Sequence, residues 1–289
     1  MPELICYKTL PEWDAESLPN GFRNQHNTKT GTWARLRIKS GRLRFYSLDE
    51  AGEVLDTALF DKDSDIPFIE PQAWHRVEPA DKDLRMQLSF YCELIDYYHK
   101  KYGLSRPHSD VVDALNHISQ GTALDVGCGS GRNVLFLRQQ GFDVSGFDRD
   151  TESINKLQRI IAHEKLDKIE ATVHDANAAD ISNAFDLITC TVVMMFLDAE
   201  RIPHIIENMQ ARTVDGGYNV IVCATDSDDY PLAGHTLPFD FGFKPGELAQ
   251  YYDGWHIKKY NEDLGHLHRT DAAGNPIALR FSTLIAQKP

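Results

Sequence analysis

A glycine-rich turn at residues 124–133, LDVGCGSGRN, constrains the fold of this chain more than any other segment. It follows a buried apolar run that predicts a strand, and it precedes apolar residues at helical spacing. Gly127, Gly129 and Gly131 allow the backbone to turn sharply and a ligand to lie against it, because glycine has no Cβ. The turn therefore predicts a ligand site between a strand and a helix, although glycines alone occur in several nucleotide-binding families.

The residues around these glycines distinguish between ligand classes. A dinucleotide fingerprint, G-x-G-x-x-G, would place its third glycine at position 132, where this chain has Arg132. No Lys-Ser or Lys-Thr pair follows, which argues against a phosphate-binding P-loop. Asp125 would repel a pyrophosphate, whereas it would attract a ligand that carries an ammonium and a sulfonium group. The alternative is a tight turn that binds nothing.

Acidic residues follow the next two predicted strands. Asp148 ends the apolar run at 143–147, where a carboxylate can accept hydrogen bonds from both hydroxyls of a ribose. The alternative is that Asp148 caps the helix that begins near Thr151. Asp175, which is followed by Ala176, comes after the third strand and is a candidate acceptor for an adenine amino group. The order of these acids favours an adenosine-containing ligand.

Strand and helix patterns alternate from residue 122 onward, which predicts a doubly wound α/β sheet with helices on both faces. Thr191 and Val192, after the fourth apolar run, are expected to lie beneath the ligand, although apolar residues there are as typical of a core. The last two of seven predicted strands are joined by a long polar loop. The seven apolar runs are 122–126, 143–147, 169–173, 185–190, 218–224, 255–260 and 278–286.

Residues 1–92 read as short strands with turns between them, which predicts a small all-β sandwich or barrel in front of the α/β domain. Apolar and polar residues alternate over 34–38 and 42–46 around a Ser40-Gly41 turn, a pattern that predicts a hairpin with one buried face. Residues 84–90 alternate in the same way. We place the domain boundary between residues 92 and 93, before a helical segment that ends near Tyr102 and a second helix capped by Ser109 or Asp110.

The β domain contains the segment Pro71-Gln72-Ala73-Trp74-His75, which resembles the second half of a cupin motif. The histidines and glutamate of the first half are not evident, and His26 is the one plausible companion for His75. A protein metal site needs three or four ligands, so the sequence favours a structural histidine and no metal. The sequence favours two roles for this cupin-like domain, binding of a small ligand or coverage of the ligand site of the second domain, and it leaves open which of them applies.

Charge and cysteine content narrow the possible partners and location. The chain of 289 residues has 43 acidic and 30 basic side chains, for a net charge of −13. Such a surface repels phosphate backbones and anionic lipids, so nucleic acid and membrane partners are not expected. The N-terminus lacks a signal-peptide pattern, and the five cysteines form no CxxC pair. We therefore expect a cytoplasmic protein, of undetermined oligomeric state.

Together with Asp186 and residues 215–217, these motifs resemble those of class I S-adenosylmethionine-dependent methyltransferases. The resemblance covers residues 95–289, and the one slight departure is Asp215, where many members have proline. It implies S-adenosylmethionine as the cofactor. The residues that it implies in cofactor binding are Tyr102, Asp125, Gly127, Gly129, Gly131, Arg132, Asn133, Asp148, Asp175, Ala176, Thr191 and Val192.

A closer resemblance is to the tellurite-resistance methyltransferases, or TehB-like proteins, in their long form with an N-terminal β domain. It rests on residues 129–133, 191–197 and 216–222, and most specifically on residues 260–271. The resemblance implies a small-molecule acceptor, a soft chalcogen oxyanion such as tellurite or selenite, or its reduced form. It also implies a role in metalloid detoxification.

Methyl transfer to an oxyanion requires a cationic clamp in this acidic protein. His268 and Arg269 are our candidates, because arginine offers a planar donor fork and histidine exchanges protons near neutral pH. Asp226, after the fifth strand, is the expected orienting or proton-accepting partner, and an exposed ion pair is the alternative for all three. Arg132 is a candidate partner for the cofactor carboxylate. Tyr102 and His108 are candidates to close over the site.

Other functions remain open at this point. Within methyltransferases, the acceptor could instead be another small molecule such as a thiol or a thiopurine. A non-catalytic metalloid sensor, in which the β domain senses and the second domain binds cofactor without turnover, is a further alternative. A nicotinamide-dependent dehydrogenase is disfavoured by Arg132.

Overall fold

The computed structural model describes residues 3–233, 239–270 and 274–289, without the side chains of His268 and Arg269. The chain forms two compact units, Met1–Arg106 and Pro107–Pro289. The first unit extends beyond residue 92 because Lys100 Nζ donates to Thr30 O at 2.7 Å and to Thr32 Oγ1 at 2.9 Å. The functional boundary between residues 92 and 93 stays a prediction.

The first unit is built from two antiparallel sheets, which confirms the all-β prediction. In one sheet, β7 lies between β1 and β2 and also pairs with β3, and in the other β4 lies between β5 and β6. Two short helices, α1 and α2, accompany them. The elements are β1 Leu4–Thr9, β2 Trp13–Asp14, α1 Asn20–Arg23, β3 Trp33–Ser40, β4 Leu43–Leu48, β5 Val54–Phe60, β6 His75–Pro79, β7 Arg85–Glu93 and α2 Tyr97–Tyr102.

The predicted hairpin over residues 34–46 is wrong. β3 pairs with β7, while β4 pairs with β5 and β6, so these consecutive strands belong to different sheets. Leu36 and Ile38 of β3 are nevertheless buried in the same core cluster as Leu43 of β4. Alternation identifies the buried face of each strand correctly, but it is identical for a hairpin and for a chain that crosses between packed sheets.

The second unit contains a seven-stranded sheet in the order β10-β9-β8-β11-β12-β14-β13, in which β14 is antiparallel to both of its neighbours. This arrangement confirms the predicted doubly wound fold. The strands are β8 Thr122–Val126, β9 Asp143–Asp148, β10 Ile169–Val173, β11 Phe185–Thr191, β12 Thr213–Thr225, β13 His256–Thr270 and β14 Pro276–Gln287. The helices are α3 Ser109–Ala114, α4 Arg132–Gln139, α5 Thr151–Glu164, α6 Ile202–Ala211 and α7 Glu247–Tyr251.

Burial explains why these segments take these forms. β8 and β11 lie in the centre of the sheet, and Leu124 and Ile188 are at most 3% exposed because helices cover both faces. α5 buries Ile154, Leu157 and Ile160, which share one face at helical spacing, and exposes its polar residues. Among the described residues, no helix is long and apolar enough to span a bilayer.

The long polar loop predicted between the last two strands is wrong. β13 and β14 form one extended antiparallel pair that runs from His256 opposite Gln287 to Thr270 opposite Pro276. Asn261 and Asp263 belong to this pair and also line a cavity. Their polar character reflects a position in the wall of a cavity rather than in a loop, and polarity alone does not distinguish the two.

Gly41→Ala tests whether the chain crosses tightly from one sheet of the first unit to the other at this position. Gly41 has φ of 64°, and a Cβ there would lie 2.7 Å from Leu84 N. We expect Gly41→Ala to lower the free energy of unfolding by about 1–2 kcal/mol through conformation and by about 1–3 kcal/mol more through the clash. Urea unfolding followed by tryptophan fluorescence measures this change.

Gly103→Ala is the matched control, because Gly103 has φ of 67° and a Cβ there would meet nothing within 4 Å. It should show only the conformational loss of about 1–2 kcal/mol. Equal losses in the two variants would contradict the close approach of the chain at Gly41.

Candidate cofactor and acceptor site

The glycine-rich turn leaves β8 and enters α4 with three glycines in the left-handed region. Gly127, Gly129 and Gly131 have φ of 68°, 54° and 88°. A Cβ would lie 2.5 Å from Val193 Cγ2 at Gly127 and 2.4 Å from Leu157 Cδ1 at Gly131. At Gly129 it would meet no atom within 4 Å. Two glycines thus serve packing, while the third exposes backbone to open space in which a ligand can lie.

Asp125 is buried at the base of this turn, with 2% of its surface exposed. Its Oδ1 accepts hydrogen bonds from Thr189 Oγ1 at 2.6 Å and from Asn133 Nδ2 at 3.3 Å. Its Oδ2 is buried and has no hydrogen-bond partner among the described residues. Burial raises the pKa of Asp125 to about 6, although both hydrogen bonds and the charge of Arg132 lower it. An orphaned buried carboxylate oxygen fits a ligand with a cationic group.

Asn133 connects this carboxylate to the surrounding elements. Its Nδ2 donates to Thr191 Oγ1 at 3.2 Å as well as to Asp125, and its Oδ1 accepts from His108 N at 3.0 Å. The end of β8, the end of β11 and the start of α3 are therefore held together by one buried amide. The sequence predicted Asn133 at the site, and the structure shows this bridging position.

Arg132 lies beside the same network. Its guanidinium donates to Thr191 Oγ1 at 3.4 Å. Burial lowers the pKa of Arg132, while the charge of Asp125 raises it. An arginine has five N–H donors, so most of its donors remain for a carboxylate or an oxyanion in the adjoining cavity.

A cavity of about 440 Å³ lies on one side of the turn, which we call the nucleoside cavity. Asp148 lines it and accepts from Gly129 N and from Asp150 N, both at 2.8 Å. The alternative of Asp148 as the cap of α5 is wrong, because Asp150 accepts from Glu152 N and Ser153 N, both at 3.2 Å. Asp148 is therefore bonded to the glycine turn itself.

Asp175 and Ala176 line the same cavity, and contact with an adenine stays a prediction. Asp175 Oδ1 accepts from Asn177 N at 2.9 Å, which fixes the carboxylate at the start of a short 3₁₀ turn. Its carboxylate still has lone pairs to accept from an amino group. The structure thus brings Asp148 and Asp175, far apart in sequence, to one cavity.

A second cavity, of about 480 Å³, adjoins the first and is called the acceptor cavity here. Val192 and Phe196 line both cavities. Val192 has φ of 62°, in the left-handed region that β-branched residues rarely adopt, and its N–H donates to Val222 O at 2.7 Å. Such strain is typical of functional sites, and it places the side chain of Val192 where the two cavities meet.

Sequence reasoning missed the charged network of the acceptor cavity. Lys259 Nζ lies 2.8 Å from Asp110 Oδ1 and 2.6 Å from Asp113 Oδ2, and Lys259, Asp110 and His108 line the cavity. Burial would raise the pKa of Asp110, but hydrogen bonds to His108 and Lys259 hold it below its usual range. The hydrogen bond to Asp110 raises the pKa of Lys259, so both groups stay charged near neutral pH. Asp110 was read only as a possible helix cap, and His108 takes that position instead.

The predicted catalytic residues are not brought together by the described part of the chain. Asp226 Oδ2 lies 2.6 Å from Lys244 Nζ, and its Oδ1 accepts from Leu232 N at 3.0 Å. Lys244 lowers the pKa of Asp226, which is absent from the described lining of both cavities. The side chains of His268 and Arg269 lie outside the described residues. Tyr102 ends α2 in the first unit, and its predicted role is untested.

Comparison with known proteins matches both units to one family. The family described as "Tellurite resistance protein TehB" matches residues 90–285, and the "TehB-like domain" matches residues 8–88. The "Probable S-adenosyl-L-methionine-dependent methyltransferase TehB" of Haemophilus influenzae strain 10810 is 48% identical over 286 residues, 99% of each chain. "Hemagglutinin 1" of Eikenella corrodens is 42% identical over 261 residues, which are 90% of this chain and 86% of that one.

A solved structure supports the same assignment. The crystal structure of TehB from Haemophilus influenzae has a TM-score of 0.95 and 47% sequence identity, and the match covers 99% of each chain. The predicted resemblance is confirmed over the whole length of the chain.

Asp125→Asn tests whether the buried carboxylate, whose Oδ2 has no partner among the described residues, destabilises the fold and binds the cofactor. The pKa of about 6 lies above the usual value of 3.8, so the protonated acid stabilises the fold below about pH 4. That stability is lost as the pH rises through about 6. Without cofactor at about pH 8, the variant should exceed the wild type in free energy of unfolding by about 1–3 kcal/mol. It should bind S-adenosylmethionine at least roughly tenfold more weakly.

Denaturant unfolding at several pH values and calorimetric titration with S-adenosylmethionine measure these two effects. Asp215→Asn, at an exposed acid of the same unit, is the control and should change neither. Parallel stability profiles for Asp125→Asn and the wild type, or an unchanged cofactor affinity, would contradict the role of Asp125.

Proposed function

We propose that this chain, which belongs to the TehB family and is an S-adenosylmethionine-dependent methyltransferase, methylates a soft chalcogen oxyanion such as tellurite or selenite, or its reduced form. The observation that carries the proposal is the meeting of two cavities at Val192 and Phe196. One is lined by the acids that suit a nucleoside, and the other by both basic and acidic side chains, with Arg132 and Lys259 as the basic ones. A methyl donor and an anionic acceptor can therefore meet in line at this junction.

The residues of the nucleoside cavity suit the ribose and the adenine of S-adenosylmethionine. Asp148 is proposed to accept from the ribose hydroxyls, and Asp175 from the adenine amino group beside Ala176. Gly127, which lines the cavity, and Gly129, where a Cβ would meet open space, are proposed to let the cofactor lie against the backbone, while Gly131 lets the turn pack on Leu157. Bound S-adenosylmethionine supplies an electrophilic methyl group on its sulfonium.

The amino-acid end of the cofactor is proposed to lie between Asp125 and Arg132. The buried Oδ2 of Asp125 is matched to the ammonium, and the guanidinium of Arg132 to the carboxylate. Asn133 and Thr191 position both side chains through their shared hydrogen bonds. Val192 forms the wall at the reacting end.

Positioning, rather than strong base catalysis, is the proposed source of the rate. A soft, polarisable chalcogen is already a good nucleophile once it is held about 3–3.5 Å from the methyl carbon. Asp110 and Lys259 remain charged partners of each other, so neither is suited to take or give a proton near neutral pH. Their role is to fix the wall of the acceptor cavity and its charge.

Arg269 and His268 are proposed to clamp the oxyanion, since they follow the cavity-lining stretch 263–267 of β13. Asp226, which Lys244 keeps ionised, is proposed as an orienting residue rather than a proton acceptor. Tyr102 is proposed to contribute to cofactor binding.

A second candidate acceptor is a thiol or another small molecule with an apolar body. The observation that favours it is the apolar part of the acceptor cavity, which includes Phe196, Leu267 and Phe281. Released S-adenosylhomocysteine, measured with tellurite, selenite and a set of thiols at equal concentration, separates the two candidates. If the enzyme turns over with thiols and with neither oxyanion, the acceptor is a thiol and the oxyanion proposal is wrong.

Arg269→Ala tests the proposed clamp. Loss of a guanidinium that neutralises the acceptor should lower kcat/KM for tellurite by about 10²–10³ and leave the cofactor affinity within about twofold. The assay is initial-rate release of S-adenosylhomocysteine, with calorimetry for the cofactor. Arg159→Ala, at an exposed position of α5, is the control and should change neither quantity. Wild-type turnover in Arg269→Ala would remove this residue from the mechanism.

A further inference from the structure

The first unit contains a cavity of about 510 Å³ that the methyl transfer reaction does not use, and we call it the β-domain cavity. All of its described lining residues belong to the first unit. Leu36, Val77, Met86 and Leu88 form its apolar wall and are each at most 5% exposed. Its volume lies within the range of small-molecule sites, about 300–1,000 Å³.

Two histidines stand side by side in this cavity. The ring centroids of His26 and His75 are 4.1 Å apart, and Phe45 stacks on His75 at 5.2 Å. The Nδ1 atoms lie 2.9 Å from Asn24 O and 2.8 Å from Ala73 O, respectively. A carbonyl only accepts, so each Nδ1 carries a proton and each Nε2 is an acceptor in the neutral ring.

Burial keeps both rings neutral. It lowers the pKa of His26, and it lowers the pKa of His75 to about 4. The predicted structural role of His75 fits its hydrogen bond and its burial. The pair nonetheless leaves two neutral hydrogen-bond acceptors in the wall of a cavity.

The charged side chains among the described lining residues of the cavity are all basic. Lys8, Lys29 and Lys100 line it, and none of its described lining residues is an aspartate or glutamate. This is unusual in a chain with 43 acidic and 30 basic side chains. Lys100 uses two of its three donors on Thr30 O and Thr32 Oγ1, which leaves one donor for a ligand.

The nearby acid does not cancel this positive charge. Asp96 is engaged by Arg106, which donates to its two oxygens at 2.6 Å and 2.9 Å. The cavity therefore combines an apolar wall, two neutral acceptors and three ammonium groups. That combination matches one class of ligand.

We propose that the β-domain cavity binds a small organic anion with an apolar body. The acid group lies near the lysines, the apolar body fills the space against Met86 and its neighbours, and His26 and His75 accept hydrogen bonds from any hydroxyl or N–H group. The site is independent of cofactor binding and methyl transfer. It gives the β domain a ligand of its own.

A metal is the competing occupant, and the described residues do not favour it. No three histidine, cysteine, aspartate or glutamate side chains among them are placed to hold a metal ion. Protein sites for zinc and similar metals commonly use three or four such ligands.

Methyl NMR of the full-length protein labelled with ¹³C-methyl methionine tests the proposal. Met86 lines the β-domain cavity, while Met194, Met195 and Met209 lie in the second unit. Titration with benzoate or octanoate should shift the Met86 signal, assigned with Met86→Leu, saturably and leave those three signals unchanged. Benzamide, the neutral analogue of benzoate, should bind at least about tenfold more weakly, since a charged partner is lost.

Reversal of the charge of two lysines that line the β-domain cavity is the second test of the proposal. Lys8 and Lys29 are exposed, so the double variant Lys8→Glu, Lys29→Glu should fold normally and bind benzoate at least about tenfold more weakly. Lys82→Glu, at an exposed lysine of the first unit outside the cavity, is the control and should bind within about twofold of the wild type. Methyl transfer should be unchanged in both variants.

Three results would overturn the proposal. They are a Met86 signal that responds to neither anion, equal affinity for benzamide and benzoate, and wild-type affinity in the double variant. A saturable Met86 response to Zn²⁺ with none to the anions would also overturn it and identify a metal site. None of these results bears on the methyltransferase reaction, which is assayed separately.

Discussion

The site depends on one constraint, a buried carboxylate with one oxygen that has no hydrogen-bond partner among the described residues. Asp125 lies at the base of the glycine turn, where water cannot solvate its Oδ2. Leaving a buried polar atom unpaired costs about 1–3 kcal/mol, and an unpaired charge costs more. Thr189 and Asn133 fix its Oδ1 by hydrogen bonds, and the ammonium of the cofactor is the proposed partner of Oδ2.

The same constraint extends through the second unit. Asn133 connects Asp125 to Thr191 and to the backbone of His108, so that the strand ends and the start of α3 are fixed relative to one another. The strained backbone of Val192 follows directly and separates the nucleoside cavity from the acceptor cavity. The left-handed backbone of Val192 can persist because the surrounding sheet is well packed and holds it in place. Residues 191 and 192 therefore connect the buried network around Asp125 to the junction of the two cavities.

The sequence was sufficient to predict site residues that directly follow a single strand. It was not sufficient to predict which strands pair or which distant side chains form ion pairs. The glycine turn, Asp148 and Asp175 were predictable because each follows its own strand, and a parallel sheet brings strand ends to one edge. The pairing of β3 with β7, and the ion pair of Lys259 with Asp110, join residues far apart in the chain. The extended strand β13 was hidden for a related reason: its polar residues face a cavity, and that pattern resembles a loop.

A crystal structure of this protein with S-adenosylmethionine tests the central claim most directly. The account predicts the ribose hydroxyls within hydrogen-bond distance of Asp148, the amino group beside Asp125, and the sulfonium at Val192 where the two cavities meet. It predicts the methyl group directed into the acceptor cavity. Cofactor bound elsewhere, or a pyrophosphate compound held against the turn in its place, would contradict the account.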